Sequence, residues 1–303
     1  VNGRPFDKPV VNLYGLGAMN EPDFLAALQG LPLHPGARGL LDDCAVLGIG
    51  GETLVLTHDM MVEGTHFRPD ADMADVGWKL VATNLSDLAA KGAAPVGVLL
   101  GHMLGKEDSR FIKGLGEALE AFGTPLLGGD TVGGEGTRSF GLTAIGRALH
   151  TPVPSRSSAR AGDAIYLTGA VGRAMLGFEG DPRHRAAFDR PVPRLAEGRA
   201  LAPLVSAMMD VSDGLLLDAY RMAEASGVTI ALEPSAIPVA DPSRAAEAWR
   251  WGDDYELLFT APPSAGLPVA AHRIGMVAAR GPAPLMLGEE ALGSPENLGF
   301  RHQ

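Results

Sequence analysis

Residues 76–95 read VGWKLVATNLSDLAAKGAAP, and in this run Leu80, Val81, Leu85 and Leu88 recur at the three- and four-residue spacing of a helix. The spacing predicts a helix capped near Asp75 and running to about Lys91, followed by a strand over 95–103. Asp87 falls near the C-terminal end of that helix, where a carboxylate opposes the macrodipole. A charge placed against its own local stability points to function.

The same alternation extends outward in both directions. Towards the N-terminus, Pro22 opens a short helix through Leu28, and the apolar runs 44–49 and 53–57 form paired strands separated by Gly48, Gly50 and Gly51. Towards the C-terminus come a helix over 109–122 and a strand over 124–128 that ends at Gly128-Gly129-Asp130. Gly, Pro, Ser and Arg then concentrate in TPVPSRSSARAG, residues 151–162, which places a domain boundary there and gives domains 1–150 and 151–303. Beyond it the pattern predicts a strand over 163–168 and helical segments near 171–178 and 193–202. A long helix follows from Asp213, its N-cap, to about Ser226, with Asp218 adding acid to its first turns. Strands near 228–232, 255–260 and 272–278 complete a mixed sheet. The fold class is α/β, with two α/β domains.

Composition narrows the partners. A chain of 303 residues with 46% hydrophobic and 20% charged residues is globular. A net charge of -11 argues against nucleic acid or an anionic membrane, and it would repel a phosphorylated ligand unless metal ions reversed the local sign. The single cysteine, Cys44, leaves no internal disulfide and no multi-cysteine metal site. No apolar stretch approaches about 18 residues, and the polar start VNGRPFDKP lacks a signal-peptide profile. The expectation is a cytoplasmic protein.

Aspartates recur at the ends of apolar runs. Asp42 and Asp43 stand in LLDDCAVL, Asp59 in LVLTHDMMV, Asp130 in PLLGGDT, Asp210 and Asp213 in MMDVSDGLLL, and Asp253 and Asp254 in WGDDYELLF. Each taken singly reads as a cap or turn former. Together they ask for positive charge, because two carboxylates about 4 Å apart repel by roughly 4 kcal/mol at an effective dielectric near 20. Lysine and arginine are not interleaved in these stretches, so a divalent cation held by oxygen ligands is the expected partner.

Familiar nucleotide and hydrolase signatures are missing. GHMLGKE, residues 101–107, departs from the Walker A pattern in spacing and in its last residue. There is no G-x-G-x-x-G between a strand and a helix, no H-E-x-x-H and no G-x-S-x-G. His58 and His66, flanking Asp59 without a nearby cysteine, make a poor zinc signature.

In order, LDDCAVL, THDMMVEGTHF, VGWKLVATNLSDLAAKGAAP, GGDT, MMDVSDGLLLDAYRMAEASGV and GDDYELLFTAP resemble the successive motifs of the thiamine-monophosphate kinases, from about residue 20 to 302. The wider superfamily includes aminoimidazole ribonucleotide synthetase, selenophosphate synthetase and a hydrogenase maturation factor, and binds ATP without a P-loop. The resemblance implies an N-terminal domain that pairs with its copy in a homodimeric β-barrel, a C-terminal mixed sheet with helices, and ATP and metals in the cleft between them. It implies that Asp42, Asp59, Asp87, Asp130 and Asp210 hold several magnesium ions, with Thr57 assisting, the main-chain carbonyl of His58 available, and Asp213 near the acceptor. Gly129, Asp130, Arg156 and Ser212 would meet ATP; His66, Asp253 and Phe300 would bind thiamine phosphate. The acceptor phosphate already carries a nucleophilic oxygen at neutral pH, its second pKa being about 6, so no protein base is required. Leu41, His58, Trp251 and Asp253 depart from the family's usual residues, and GGDT continues as Val-Gly-Gly.

Two rival readings are a synthetase of the same superfamily and a non-catalytic ATP-binding protein. Selenophosphate synthesis usually uses a reactive thiol in a mobile loop, whereas Cys44 lies in an apolar strand-like run. The hydrogenase factor needs a C-terminal cysteine, and this sequence ends Arg301-His302-Gln303.

Overall fold

The computed structural model describes residues 20–301, so the start VNGRPFDKP and the final His302-Gln303 lie outside the described residues. A first half holds α1 (Glu21–Gln29), β1 (Ala45–Ile49), β2 (Glu52–Val62), α2 (Met73–Ala90), β3 (Ala93–Met103), α3 (Asp108–Ala121), β4 (Leu126–Val132) and β5 (Ser139–Ala148). The strands form one sheet in the order β1-β2-β5-β3-β4, antiparallel except for the parallel β3–β4 pair. Alternation along β2 and β5 sends Val55, Met61, Phe140, Leu142 and Ala144 inward against Leu80, Leu85 and Leu88 of α2 and Phe111 of α3. Two glycines let these helices meet backbone to backbone: a Cβ on Gly114 would stand 1.7 Å from the Ala74 carbonyl oxygen, and one on Gly77 2.5 Å from that of Phe111.

The second half contains β6 (Ala164–Leu167), α4 (Arg173–Phe178), α5 (Arg185–Asp189), α6 (Leu195–Leu201), β7 (Ala207–Asp210), α7 (Leu215–Ser226), β8 (Val228–Leu232), α8 (Ala245–Trp251), β9 (Leu257–Ala261), β10 (His272–Ala279), β11 (Leu285–Leu287) and β12 (Glu290–Leu292). Its sheet runs β12-β11-β8-β10-β6-β9-β7 and is mixed, β11 lying parallel to β8. Met209, Leu216, Met222, Ile230, Leu258 and Ile274 sit at the centre of its core.

Helix α2 joins the halves. Its last residues, Ala89 and Ala90, pack with Leu201, Met208, Leu257 and Phe259 of the second half. Gly198 of α6 lies so close that a Cβ there would fall 1.9 Å from the Ala89 carbonyl oxygen. A helix buried on nearly all sides follows from apolar residues all round its circumference.

Several boundaries differ from the sequence expectation. Asp72, whose side chain accepts from the Ala74 amide, caps α2 instead of Asp75. Helix α7 starts at Leu215 after Gly214, so Asp213 is not its N-cap. Asp218 does the equivalent work from inside the helix, accepting from the amides of Ser212 and Asp213 at 3.1 Å each. Strand β4 runs from Leu126 through Gly128, Gly129 and Asp130 to Val132, instead of starting at 124 and ending at those residues. The pattern missed β7, α5, α8, β11 and β12, all seven residues or shorter and so below the length at which periodicity speaks.

Candidate active site between the two sheets

The inward face of β2, the last turns of α2 and the end of β7 converge. On β2, Thr57 and Asp59 share the inward row, and Thr57 Oγ1 donates a hydrogen bond to Asp87 Oδ2 on α2. The Asp59 amide donates to Asn84 Oδ1 at 3.0 Å, which fixes β2 against the same helix. From the other side, Ser86 Oγ donates to Asp210 Oδ2 at 2.5 Å. Asp59, Asp87 and Asp210 therefore come from both halves of the fold to one place.

Their electrostatics set them apart. Burial, and then the charges of Asp43 and Asp213, push the Asp59 carboxyl up to about 6. Burial and the charge of Asp43 push Asp210 up to about 7 despite the Ser86 bond, and burial with Asp59 and Asp210 raises Asp87 well above the carboxylate range. Among the described residues no ion pair reaches these three.

Asp42 and Asp43 are the opposite case. Arg38 Nη1 stands 2.5 Å from Asp42, Lys91 Nζ 2.6 Å from Asp42 and 2.9 Å from Asp43, and Arg156 Nη2 2.7 Å from Asp43. Burial works against ionisation of both, but the neighbouring cations hold them below the usual carboxylate range. Asp213 is paired with Arg221, which also reaches Asp218.

The residues expected at the acceptor end also meet. Lys79 Nζ donates to Asp253 Oδ2 at 2.8 Å and lies 3.5 Å from the His66 carbonyl oxygen, while Tyr255 donates to Asp253 Oδ1 at 2.8 Å. The rings of His66 and Phe300 stand edge to face at 6.5 Å, and the Phe300 amide donates to the Asp213 carbonyl. Asp253 and Tyr255 both take positive φ, 57° and 51°, after Gly252 at 91°. That tight path carries the chain past the Ser212 carbonyl, which a Cβ on Gly252 would approach to 2.5 Å.

Two expected residues stand apart. The His58 side chain occupies the outward row of β2 and bonds Thr143 Oγ1 through Nδ1 at 2.9 Å, so only its main chain faces the cluster region. Asp130, on exposed β4, pairs in register with Gly101 and accepts from its neighbour Thr131. The ladder through β5 and β3 puts it three strands from Asp59, roughly 14 Å at about 4.8 Å per strand. Gly129 beside it has no room for a side chain, a Cβ there falling 1.8 Å from the Leu100 oxygen.

Sequence reading missed Lys79, Ser86 and Lys91. The available signal was α2 itself: a helix with apolar residues on every side buries its charges, and a buried charge requires a partner.

The donors are carboxylates and a hydroxyl, the set that hard divalent cations take. Among the described residues no three Asp, Glu, His or Cys side chains stand close enough to hold a metal as they are. The fit rests instead on three carboxylates, Asp59 half-buried and Asp87 and Asp210 buried, that repel one another and make no ion pair among the described residues. Cys44 is buried in the first core, and burial pushes its thiol up, which suits a structural role. Among the described residues no helix is long and apolar enough to cross a membrane.

Comparison with known proteins matches residues 41–148 to the family described as AIR synthase related protein, N-terminal domain, and residues 160–280 to its C-terminal domain. A thiamine-monophosphate kinase of Salmonella typhimurium is 36% identical over 268 residues, covering 78% of this chain and 81% of that protein. One from Escherichia coli K12 is 35% identical over the same shares. Among solved structures, AaThiL complexed with AMPPCP and TMP superposes with a TM-score of 0.82 at 25% identity, covering 94% of this chain and 97% of that one. The hydrogenase maturation protein HypE in complex with ATP, at 22% identity and a TM-score of 0.63 over 88% of this chain and 89% of that one, shares the fold.

Proposed function

The chain belongs to the thiamine-monophosphate kinase family of AIR-synthase-related proteins, and we infer from its site that it transfers the γ-phosphoryl group of ATP to thiamine phosphate, giving thiamine diphosphate. The observation that carries this reading is the convergence of Asp59, Asp87 and Asp210 from both halves of the fold, three mutually repelling carboxylates that make no ion pair among the described residues. Several magnesium ions would be held by Asp59, Asp87 and Asp210 with Thr57, by Asp42 and Asp213 at the margins, and by Asp130. When bound, magnesium supplies positive charge against the β- and γ-phosphates and the transferring phosphoryl group.

The remaining work is positional. Lys79 and Tyr255 fix the Asp253 carboxylate beside His66 and Phe300, which form the acceptor end. Ser212, whose amide is pinned by Asp218, and Arg156 line the nucleotide end. The acceptor's own phosphate oxygen is the nucleophile, so orientation and electrostatics suffice without a protein base.

A homodimer completes the arrangement. The sheet face opposite α2 carries exposed Met60, Leu99, Leu127 and Val132, a bare apolar surface of the kind a second copy covers. Strand β1 pairs with Glu52–Leu56, leaving the outer edge of β2 from Thr57 onward without a neighbouring strand among the described residues. Pairing of two such sheets into a barrel would bring Gly129 and Asp130 of one copy towards the cluster of the other. Residues 1–150 would then serve metal, nucleotide and dimerisation, with 151–303 as the second domain. A cytoplasmic location accords with the use of ATP.

The test is direct: the purified protein is incubated with ATP, magnesium and thiamine phosphate, and thiamine diphosphate and ADP are followed. Product that vanishes with chelator supports the reading. ATP binding with no product from thiamine phosphate sinks it.

A further inference from the structure

We propose that Phe178 and Trp251 form an aromatic wall that continues the acceptor end outward from Asp253 and selects acceptors with a flat heteroaromatic ring remote from their phosphate; the assignment rests on the kinase reading of the site. The rings of Phe178, the last residue of α4, and Trp251, the last residue of α8, stand 5.2 Å apart at 47°. Only Gly252 separates Trp251 from Asp253. Phe178 also meets Phe188 of α5 edge to face at 5.2 Å, and the Lys79 ammonium that holds Asp253 sits 3.8 Å from the centre of the Phe188 ring. The contacts close on themselves, running from Asp253 through Lys79, Phe188, Phe178 and Trp251 and back to Asp253 across one glycine.

The first half of the fold reaches this circuit twice. The His66 carbonyl lies 3.5 Å from Lys79 Nζ; two residues on, Arg68 Nη1 donates to the Phe178 carbonyl at 3.0 Å, with its guanidinium 5.4 Å from the centre of the Phe178 ring. Position along α2 gives the wall its direction. Lys79 lies about two turns before Asp87, and Phe188 borders Asp75 and Val76 as well as Lys79, about one turn further from Asp87. An acceptor whose phosphate faces Asp87 therefore turns its far end towards these rings. Trp251 packs against the second core, yet both it and Phe178 are only half-buried and keep surface for a further ring. Offset or edge-to-face contact with a flat ring is what such faces favour.

Steady-state kinetics of the full chain test the wall, with thiamine phosphate as acceptor and the phosphate ester of its thiazole half, which lacks the pyrimidine ring, as a competitive inhibitor. Trp251→Leu and Phe178→Leu should each raise KM for thiamine phosphate roughly 5- to 10-fold, the scale of one lost aromatic contact, with kcat, KM for ATP and Ki of the truncated ester kept within about twofold. An unchanged KM, or an equal loss for thiamine phosphate and the truncated ester, overturns the wall and leaves the kinase reading intact. Should either variant not fold, quenching of tryptophan fluorescence by thiamine phosphate decides, in Trp251→Phe beside Trp249→Phe. Quenching lost only from Trp251→Phe supports the proposal, and any other pattern overturns it. A parent that neither turns over nor binds thiamine phosphate sinks the kinase reading and the wall together.

Discussion

Ser86 and Asp210 share a 2.5 Å hydrogen bond that ties the last turns of α2 to the end of β7. Ser86→Ala would leave the buried Asp210 without this donor. The expected cost is about 1–3 kcal/mol of stability, read as a lower midpoint in urea unfolding, together with reduced kcat. An unchanged midpoint would mean the bond holds nothing together.

Asp87→Asn removes one of three mutually repelling carboxylates. The metal-free variant should therefore melt higher than the parent, while its kinase activity falls by roughly 10²-fold or more. Calorimetry in chelator alongside a steady-state assay checks both halves, and a variant that loses stability and activity together contradicts the account.

Lys79→Met strips Asp253 of its buried partner and ends the contact of the ammonium with the Phe188 ring, 3.8 Å away. Because Asp253 keeps 30% exposure, the loss should fall below the roughly 3–5 kcal/mol of a fully buried pair. KM for thiamine phosphate should rise more than kcat falls, with KM for ATP nearly unchanged. Saturation curves for each substrate distinguish this from general damage.

Asp254 accepts from the Gly172 amide at the start of α4, yet burial still pushes its carboxyl up to about 7 from an ordinary 3.8. The folded protein thus keeps a proton that the unfolded chain releases above about pH 4. Stability from this group is full below that pH and is lost as pH rises towards 7, because the native state then binds more protons than the unfolded one. In chelator, Asp254→Asn should lose less melting temperature than the parent across that window. Parallel melting curves against pH would show no difference if the group titrated normally.

Much of the fold could be read from periodicity. The β1–β2 hairpin, α2 and the long α7 each carry enough residues for their pattern to speak, and the aspartates were visible where apolar runs end. What escaped was pairing in space. Nothing local in AAKGA says that Lys91 is sealed between two carboxylates, and a lysine is ordinarily solvated. Asp130 looked equivalent to Asp59 in sequence, but sheet order separates them by three strands. The outward direction of His58 follows from the period of two along β2, once the inward row is fixed by Val55 and Thr57.

On the proposed reading, helix α2 carries Lys79 at the acceptor end and Asp87 at the nucleotide end on one unbroken rod. At about 1.5 Å per residue, the eight-residue interval between them is a fixed ruler of roughly 12 Å. The reach from acceptor to donor is therefore written into covalent geometry, and whatever flexing admits or releases ligands must occur around that rod, not along it.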